Sequence, residues 1–205
     1  MAAPSRYSST AGEAGMEDGV LKNKLSIKDQ AKLENTEAIL YLDAKEYFLG
    51  PNAAIPKVID VSFLLKIHYY FLEPLYVWAG KIRTVNISKG DAMFCSANFI
   101  GSALADFDRI LRQNIPSIDD TKKQITDKLA LIHCELNAIH PFREGNGRTI
   151  RLFLDVIATR IGYQQIAWKK SSQRAYIEAC IVGMKQDYRP MSRVIQISLT
   201  KRRRT

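Results

Sequence analysis

No apolar run in the 205-residue chain reaches the ~18 residues that a membrane-crossing helix needs, so no spanning segment is expected. The opening stretch, MAAPSRYSSTAGEAG, has neither the basic start nor the apolar middle of a secretory signal. A flexible, small-residue arm over residues 1–19 is expected instead, on a soluble cytoplasmic protein. Cysteine is scarce. Cys95, Cys134 and Cys180 are odd in number, widely spaced and without zinc-ligand spacing, which argues against a disulfide framework or a zinc site and leaves incidental or buried thiols. Internal repeats are absent, and so are low-complexity tracts beyond the arm. Acidic residues run short, 21 against 30 basic ones, for a net charge of +9. Four of those charges sit in the last five residues, KRRRT, leaving +5 on the rest. A basic tail over 201–205 is read as a solvated end. The remaining excess suits a polyanionic nucleotide as well as a nucleic acid, and direct nucleic-acid binding is not the expected function.

What is present is a 46% hydrophobic chain, enough for the core of one domain with a small helical extension. From Ser26 the text turns helical, with Ile27, Leu33, Ile39, Leu40 and Leu42 among Lys, Asp and Glu, until Gly50-Pro51 stops it. A second helix is expected over about Pro56–Leu72, where Val58, Phe63, Leu65 and Ile67 are too apolar for a surface element. Residues 81–95 differ. Alternating β-rich text, a Lys89-Gly90-Asp91 turn signal and Met93-Phe94 predict a hairpin. A helix over 96–114 follows, then one capped by Asp119, Asp120 or Thr121, with the stripe Ile125, Leu129, Ile132, Leu136. The next stripe, Ile150, Leu154, Ile157 and Ile161, ends at Gly162. Two last helices are expected around 171–186 and 190–199. The fold class is therefore all-α, a helical bundle with one β-hairpin.

The chemistry converges on His140-Pro-Phe-Arg-Glu-Gly-Asn-Gly-Arg-Thr-Ile-Arg151, between two strongly periodic helices. Gly145-Asn146-Gly147 falls where a helix begins, so backbone N–H groups there have no partner within the helix. Glycines let that backbone approach a ligand, and the positive end of the helix dipole favours phosphate. Arg148 and Arg151, three apart, lie near one another on the first turns, with guanidinium forks suited to phosphate oxygens. Glu144 is the one acid in this basic stretch, a natural Mg²⁺ ligand beside a triphosphate. His140 offers a neutral imidazole as general base for a hydroxyl. Phe142 is expected to point inward as an anchor. His133 and His68, in apolar helical text, are expected to be packed, and Trp78 and Trp168 to be packing anchors.

The segment resembles the signature of the Fic family, His-x-Phe-x-(Asp/Glu)-Gly-Asn-Gly-Arg-x-x-Arg, at every specified position. The likeness extends over roughly residues 20–195, through LKNKLSIKD, VWAGKIR and the hairpin. It is nearest to stand-alone bacterial Fic toxins of toxin–antitoxin pairs. The resemblance implies a helical extension over 20–55, the Fic domain over 56–200, and a protein adenylyltransferase that uses ATP and Mg²⁺. In that reading His140 deprotonates a Tyr, Thr or Ser hydroxyl of a target protein, which takes AMP while pyrophosphate leaves. Glu144 holds the Mg²⁺, and Phe142, Gly145, Asn146, Gly147, Arg148 and Arg151 form the nucleotide site, with Arg148 counted as catalytic beside His140. The hairpin corresponds to a target-binding flap of Ile87, Ser88, Lys89, Gly90, Asp91, Ala92 and Met93, which pairs with an extended piece of the target. Gly147 stands where relatives with reversed nucleotide binding carry a lysine, which favours AMP transfer over kinase chemistry.

Many members are restrained by a (Ser/Thr)-x-x-x-Glu-(Gly/Asn) helix. Here the nearest match, Gln30-Ala-Lys-Leu-Glu34-Asn35, has Gln in place of Ser/Thr, so Glu34 is the candidate inhibitory residue inside the chain. A separate small antitoxin setting its own Glu against Arg151 is the favoured alternative. By analogy, type II topoisomerase subunits are candidate targets. A catalytically silent nucleotide-binding protein of the same fold is the competing reading.

Overall fold

The computed structural model describes residues 8–9, 15–17, 19–53, 56–90 and 92–202. Most of the expected arm, residues 1–7, 10–14 and 18, lies outside the described residues, as do Asp91 and 203–205 of the basic tail.

Seven α-helices and three short antiparallel pairings make up the described fold. α1 (Gln30–Leu49) begins where the Asp29 carboxylate accepts the Lys32 N–H at 2.7 Å and stops at Gly50. It starts four residues later than the apolar text at Ser26 suggests, because the cap lies at Asp29. Its apolar face is narrow. Leu33, Ala44 and Phe48 are buried, but Ile39 and Leu42, among the apolar residues of this helical text, are 67% and 65% exposed. α2 (Val61–Leu72) starts late for the same reason. Asp60 caps it by accepting the Phe63 N–H at 2.9 Å, which leaves Val58 outside the helix and exposed.

α3 (Ile100–Asn114) follows a single 3₁₀ turn at Ala97–Phe99. α4 (Lys122–Ile139) carries a reciprocal capping box between Thr121 and Gln124 and buries its whole expected stripe, Ile125, Leu129, Ile132 and Leu136. α5 (Asn146–Arg160) is the axis of the bundle. Leu152, Phe153, Val156 and Ala158 are buried along with the stripe Ile150, Leu154 and Ile157, because α1, α2 and α4 enclose it. α6 (Gln173–Gly183) and α7 (Arg189–Ser198) close the far side against α4. Each fully buried Leu, Ile or Phe in this core contributes ~1.5–3 kcal/mol of transfer free energy.

The β content is small. β1 (Ser8–Ser9) and β5 (Ala92–Met93) flank β4 (Ile87–Lys89) in the order β1-β4-β5, and β2 (Met16–Glu17) pairs with β3 (Val20–Leu21). The hairpin is shorter than the 81–95 expected from alternation. Residues 81–86 are irregular, and their sidedness is inverted: Ile82 is exposed while Arg83 is 4% exposed. The described parts of the arm also differ from a free extension, since Ser8 and Ser9 pair with Ser88 and Ile87. At the other end, Lys201 bridges Tyr163, and Arg202 N–H donates to the Gly162 carbonyl at 3.0 Å, so the start of the basic tail is tied to the body.

Candidate active site

The loop between α4 and α5 is shaped by two left-handed residues. His140 caps α4 at φ +49°, its N–H still donating to Leu136 O, and Gly145 precedes α5 at φ +81°. Only glycine suits the second position. A Cβ there would stand 2.8 Å from Leu72 Cδ1 and 3.3 Å from Phe71 Cε1. No side chain caps α5, so the N–H groups of Asn146, Gly147 and Arg148 point out of its first turn with no acceptor inside the helix. A helix N-terminus of this kind suits an anion, the role expected of Gly-Asn-Gly as a cradle.

Several long-range contacts hold this loop, and sequence reasoning missed all of them. The buried Arg83 guanidinium donates from Nε to His140 O at 2.8 Å and from Nη1 to Val85 O at 2.7 Å, and its Nη2 reaches the carbonyls of Cys95 and Ile139. Its backbone N–H donates to Pro141 O at 2.8 Å. Inverted sidedness over 81–86 therefore has a purpose: a cation turned inward gathers carbonyls from both ends of the flap and from the loop. His68, packed as expected, accepts the Gly80 N–H on Nδ1 at 2.8 Å. Its proton thus lies on Nε2, which donates to Glu144 O at 3.0 Å. Burial drives its pKa down to about 4, keeping it neutral.

Two motif residues hold the loop by their side chains. Phe142 is fully buried and stacks on His68, centroids 3.7 Å apart at 6°. It is the anchor expected; with its ring fully buried it is not part of the cavity lining described below. Asn146, also fully buried, accepts the Phe142 N–H on Oδ1 and donates from Nδ2 to Phe142 O, both at 2.8 Å. What Asn146 can offer a phosphate is its backbone N–H; its amide is committed to closing the loop.

His140 keeps the geometry of a base. Its Nδ1 lies 3.0 Å from Asn137 O, which places the proton there and leaves the lone pair on Nε2. The ring stacks on Phe94 of the flap at 3.7 Å. Burial first, then the charges of Arg83 and Lys89, push its pKa down to about 3, against the opposing bond to Asn137. His140, Gly147 and Arg151 line one cavity of about 630 Å³ with Lys89, Gly90, Ala92 and Phe94 of the flap. The rest of its lining is Asn137 of α4, then Tyr176, Ile177, Cys180 and Ile181 of α6, with Met184 and Lys185 just past that helix's end. An apolar wall facing an anion cradle across a space of this size fits a nucleotide, with base and phosphates at opposite ends.

The two motif arginines part company. Arg151 lies beside Tyr41 of α1 and against Tyr176, its centre 5.7 Å from that ring. Tyr176 is positioned in turn by His133, whose Nε2 is 2.9 Å from the hydroxyl and whose pKa burial lowers to about 3. Arg148, expected beside Arg151 on the same anion, turns instead to Glu37 of α1 at 2.6 Å, with Glu144 Oε1 3.5 Å away and the Phe71 ring beneath it. Glu34, the candidate inhibitory residue, accepts from Gln30 Nε2 at 2.8 Å, and the acidic contact to a motif arginine comes from Glu37, three residues on. Trp78 stacks on Tyr76, and Trp168 donates to the buried Asp155, as packing anchors should. Glu144 accepts the Gly145 N–H at 2.8 Å on Oε1 and is nearly buried at the cradle's edge. Among the described residues no group of three or more His, Cys, Asp or Glu could hold a metal. One carboxylate at a phosphate cradle nevertheless fits Mg²⁺, which takes one or two protein carboxylates and fills its shell from phosphate and water. No helix among the described residues is long and apolar enough to cross a membrane.

Fold and site together define a helical bundle built around a Gly-Asn-Gly loop at the N-terminus of its central helix. Comparison with known proteins agrees. Residues 58–158 match the Fic/DOC family. The protein adenylyltransferase VbhT of Bartonella schoenbuchensis is 35% identical over 188 residues, and a protein of Escherichia coli named as the protein adenylyltransferase Fic is 31% identical over 164. These alignments cover 90% and 78% of this chain, but 38% of the Bartonella protein and 78% of the E. coli one. The N-terminal Fic domain of Bep8 from Bartonella sp. 1-1C superposes with a TM-score of 0.79 at 25% identity, covering 91% of this chain and 94% of that one. BepC of Bartonella tribocorum, solved with bound AMPPNP, gives 0.79 at 22% identity, covering 93% and 98%, and so shows the shared fold. The chain belongs to the Fic/DOC family.

Proposed function

We propose that this protein is a protein adenylyltransferase that moves AMP from ATP to a hydroxyl side chain of another protein. The observation that carries the reading is a neutral imidazole, Arg151 and the first-turn N–H groups of α5 facing one cavity. The α5 N-terminus and Arg151 bind the phosphates, and the α6 wall takes the base. The lone pair on His140 Nε2 accepts the proton of the incoming hydroxyl as its oxygen bonds to the α-phosphorus; the bond from that phosphorus to the β-phosphate oxygen breaks and pyrophosphate leaves. A pKa near 3 would make His140 a weak base, but a triphosphate's negative charge favours the protonated imidazole and moves the value back up. Positioning and charge neutralisation then supply most of the rate. Glu144 would hold Mg²⁺, which would supply neutralisation of the charge on the pyrophosphate.

Ile87, Ser88, Lys89, Gly90, Ala92 and Met93 of the flap, together with Asp91, would dock an extended segment of the target. Its edge already takes a strand, since Ser8–Ser9 lie antiparallel on β4. A finer reading makes the protein a growth-arresting toxin held in check by a separate small protein whose carboxylate meets Arg151, with topoisomerase subunits as candidate targets. Its support is the motif likeness alone.

The test incubates the protein with ATP labelled at the α-phosphate, Mg²⁺ and a bacterial lysate, then locates label and AMP adducts by mass spectrometry. His140→Ala should lower transfer by ~10²–10⁴-fold while nucleotide binding survives. Nucleotide binding without transfer by the wild-type protein would favour the silent reading instead.

A further inference from the structure

Glu37 has a task that neither the motif nor the family match, which begins at residue 58, includes. It lies on α1, is 3% exposed, and holds its carboxylate between two donors. Tyr76 Oη donates to Oε1 at 2.6 Å, and Arg148 Nη2 donates to Oε2 at 2.6 Å. The same Arg148 nitrogen stands 3.5 Å from Glu144 Oε1. Two buried carboxylates thus compete for one largely buried guanidinium, and Glu37 has the shorter contact. Tyr76 is itself fixed by stacking on Trp78 at 4.2 Å, so the distal carboxylate is presented rigidly.

We infer that Glu37 is a positioning residue that draws the Arg148 guanidinium off Glu144, so that Glu144 can take a divalent cation brought by the nucleotide. This rests on the nucleotide-site reading above. The physical argument is charge balance. With Glu37 present, the Arg148 cation is neutralised by a carboxylate remote from the phosphates. With Glu37 made neutral, an uncompensated guanidinium in a 15% exposed position has Glu144 as its nearest carboxylate and closes the 3.5 Å gap. A cation paired to Glu144 opposes a second, divalent one. The guanidinium's attraction for phosphate, in contrast, is undiminished.

The test is calorimetric binding of a non-hydrolysable ATP analogue to the full chain, with Mg²⁺ and again with EDTA. Glu37→Gln keeps the side chain's size and one acceptor. The expected result is metal-free affinity within about twofold of wild type or tighter, and a Mg²⁺-dependent gain reduced by roughly tenfold, the low end for residues that orient a metal-binding carboxylate. Tyr76→Phe should move the gain in the same direction by less, and keeps the test available should Glu37→Gln fold poorly. A merely structural Glu37 would weaken binding with and without metal alike, and that outcome overturns the inference, as does an unchanged Mg²⁺ gain in both variants. Failure of the wild-type protein to bind nucleotide at all would instead sink the reading of the site.

Discussion

Lowering the pH from 7 to 5 is expected to remove about 4 kcal/mol of this protein's stability. All three histidines of the chain, His68, His133 and His140, are buried, and burial holds their pKa values at about 4, about 3 and about 3. In the unfolded chain each returns to about 6.5. Stability from such a depressed basic group is present above the unfolded pKa and is lost as the pH falls through it, because only the unfolded state takes up the proton. Between pH 7 and pH 5 each histidine therefore costs a little under ~2 kcal/mol. Asp155 acts in the opposite sense. Burial raises its pKa to about 6, against backbone and Trp168 bonds that lower it, so the folded state gains a proton first. That returns a little over ~1 kcal/mol over the same interval. The net loss is a large part of the ~5–15 kcal/mol typical of a domain, and at this chain length it lowers the melting temperature by roughly 8–16 °C. Urea unfolding followed by tryptophan fluorescence at both pH values measures it. His133→Phe supplies the internal control. It loses the bond to Tyr176, and with it some stability at pH 7, but its loss between pH 7 and pH 5 should be smaller than wild type by a little under ~2 kcal/mol. A wild-type difference below about 1 kcal/mol, or the same difference in the variant, would refute the reasoning.

Gly145→Ala combines a left-handed backbone with a methyl pressed against Leu72, and should cost roughly 2–4 kcal/mol, read as a shifted denaturation midpoint; a loss under about 0.5 kcal/mol would mean that the loop has room to relax. Deleting residues 1–14 removes β1 from β4 and exposes the flap edge, so modification of a target protein should rise roughly two- to fivefold if targets dock by strand addition. An unchanged rate in the presence of an intact fold would place the docking elsewhere.

The loop 140–151 was legible because its determinants are local. A left-handed glycine, a helix start and residues at fixed spacing lie within twelve positions, and the stripes of α4 and α5 repeat every three or four residues. The α4–α5 turn and the place of His140 at its start follow from that text. Local patterning was less reliable where a side chain answered to distant partners. Alternation over 81–86 pointed to a strand, but Arg83 is drawn inward by carbonyls of Cys95, Ile139 and His140. Apolar Ile39 and Leu42 of the helical text of α1 are left in solvent by the bundle.

The sequence by itself determined the helical class, the left-handed turn into α5 and the placing of His140, Glu144 and the Gly-Asn-Gly stretch on one loop, since helix periodicity and capping act between residues a few positions apart. Tertiary structure alone decided which way each arginine turned. Arg148 goes to Glu37, 111 residues away in the chain, while Arg151 goes to the Tyr176 wall of α6. Such choices depend on which buried charges and rings the packing brings within a few ångströms, and no local pattern encodes them.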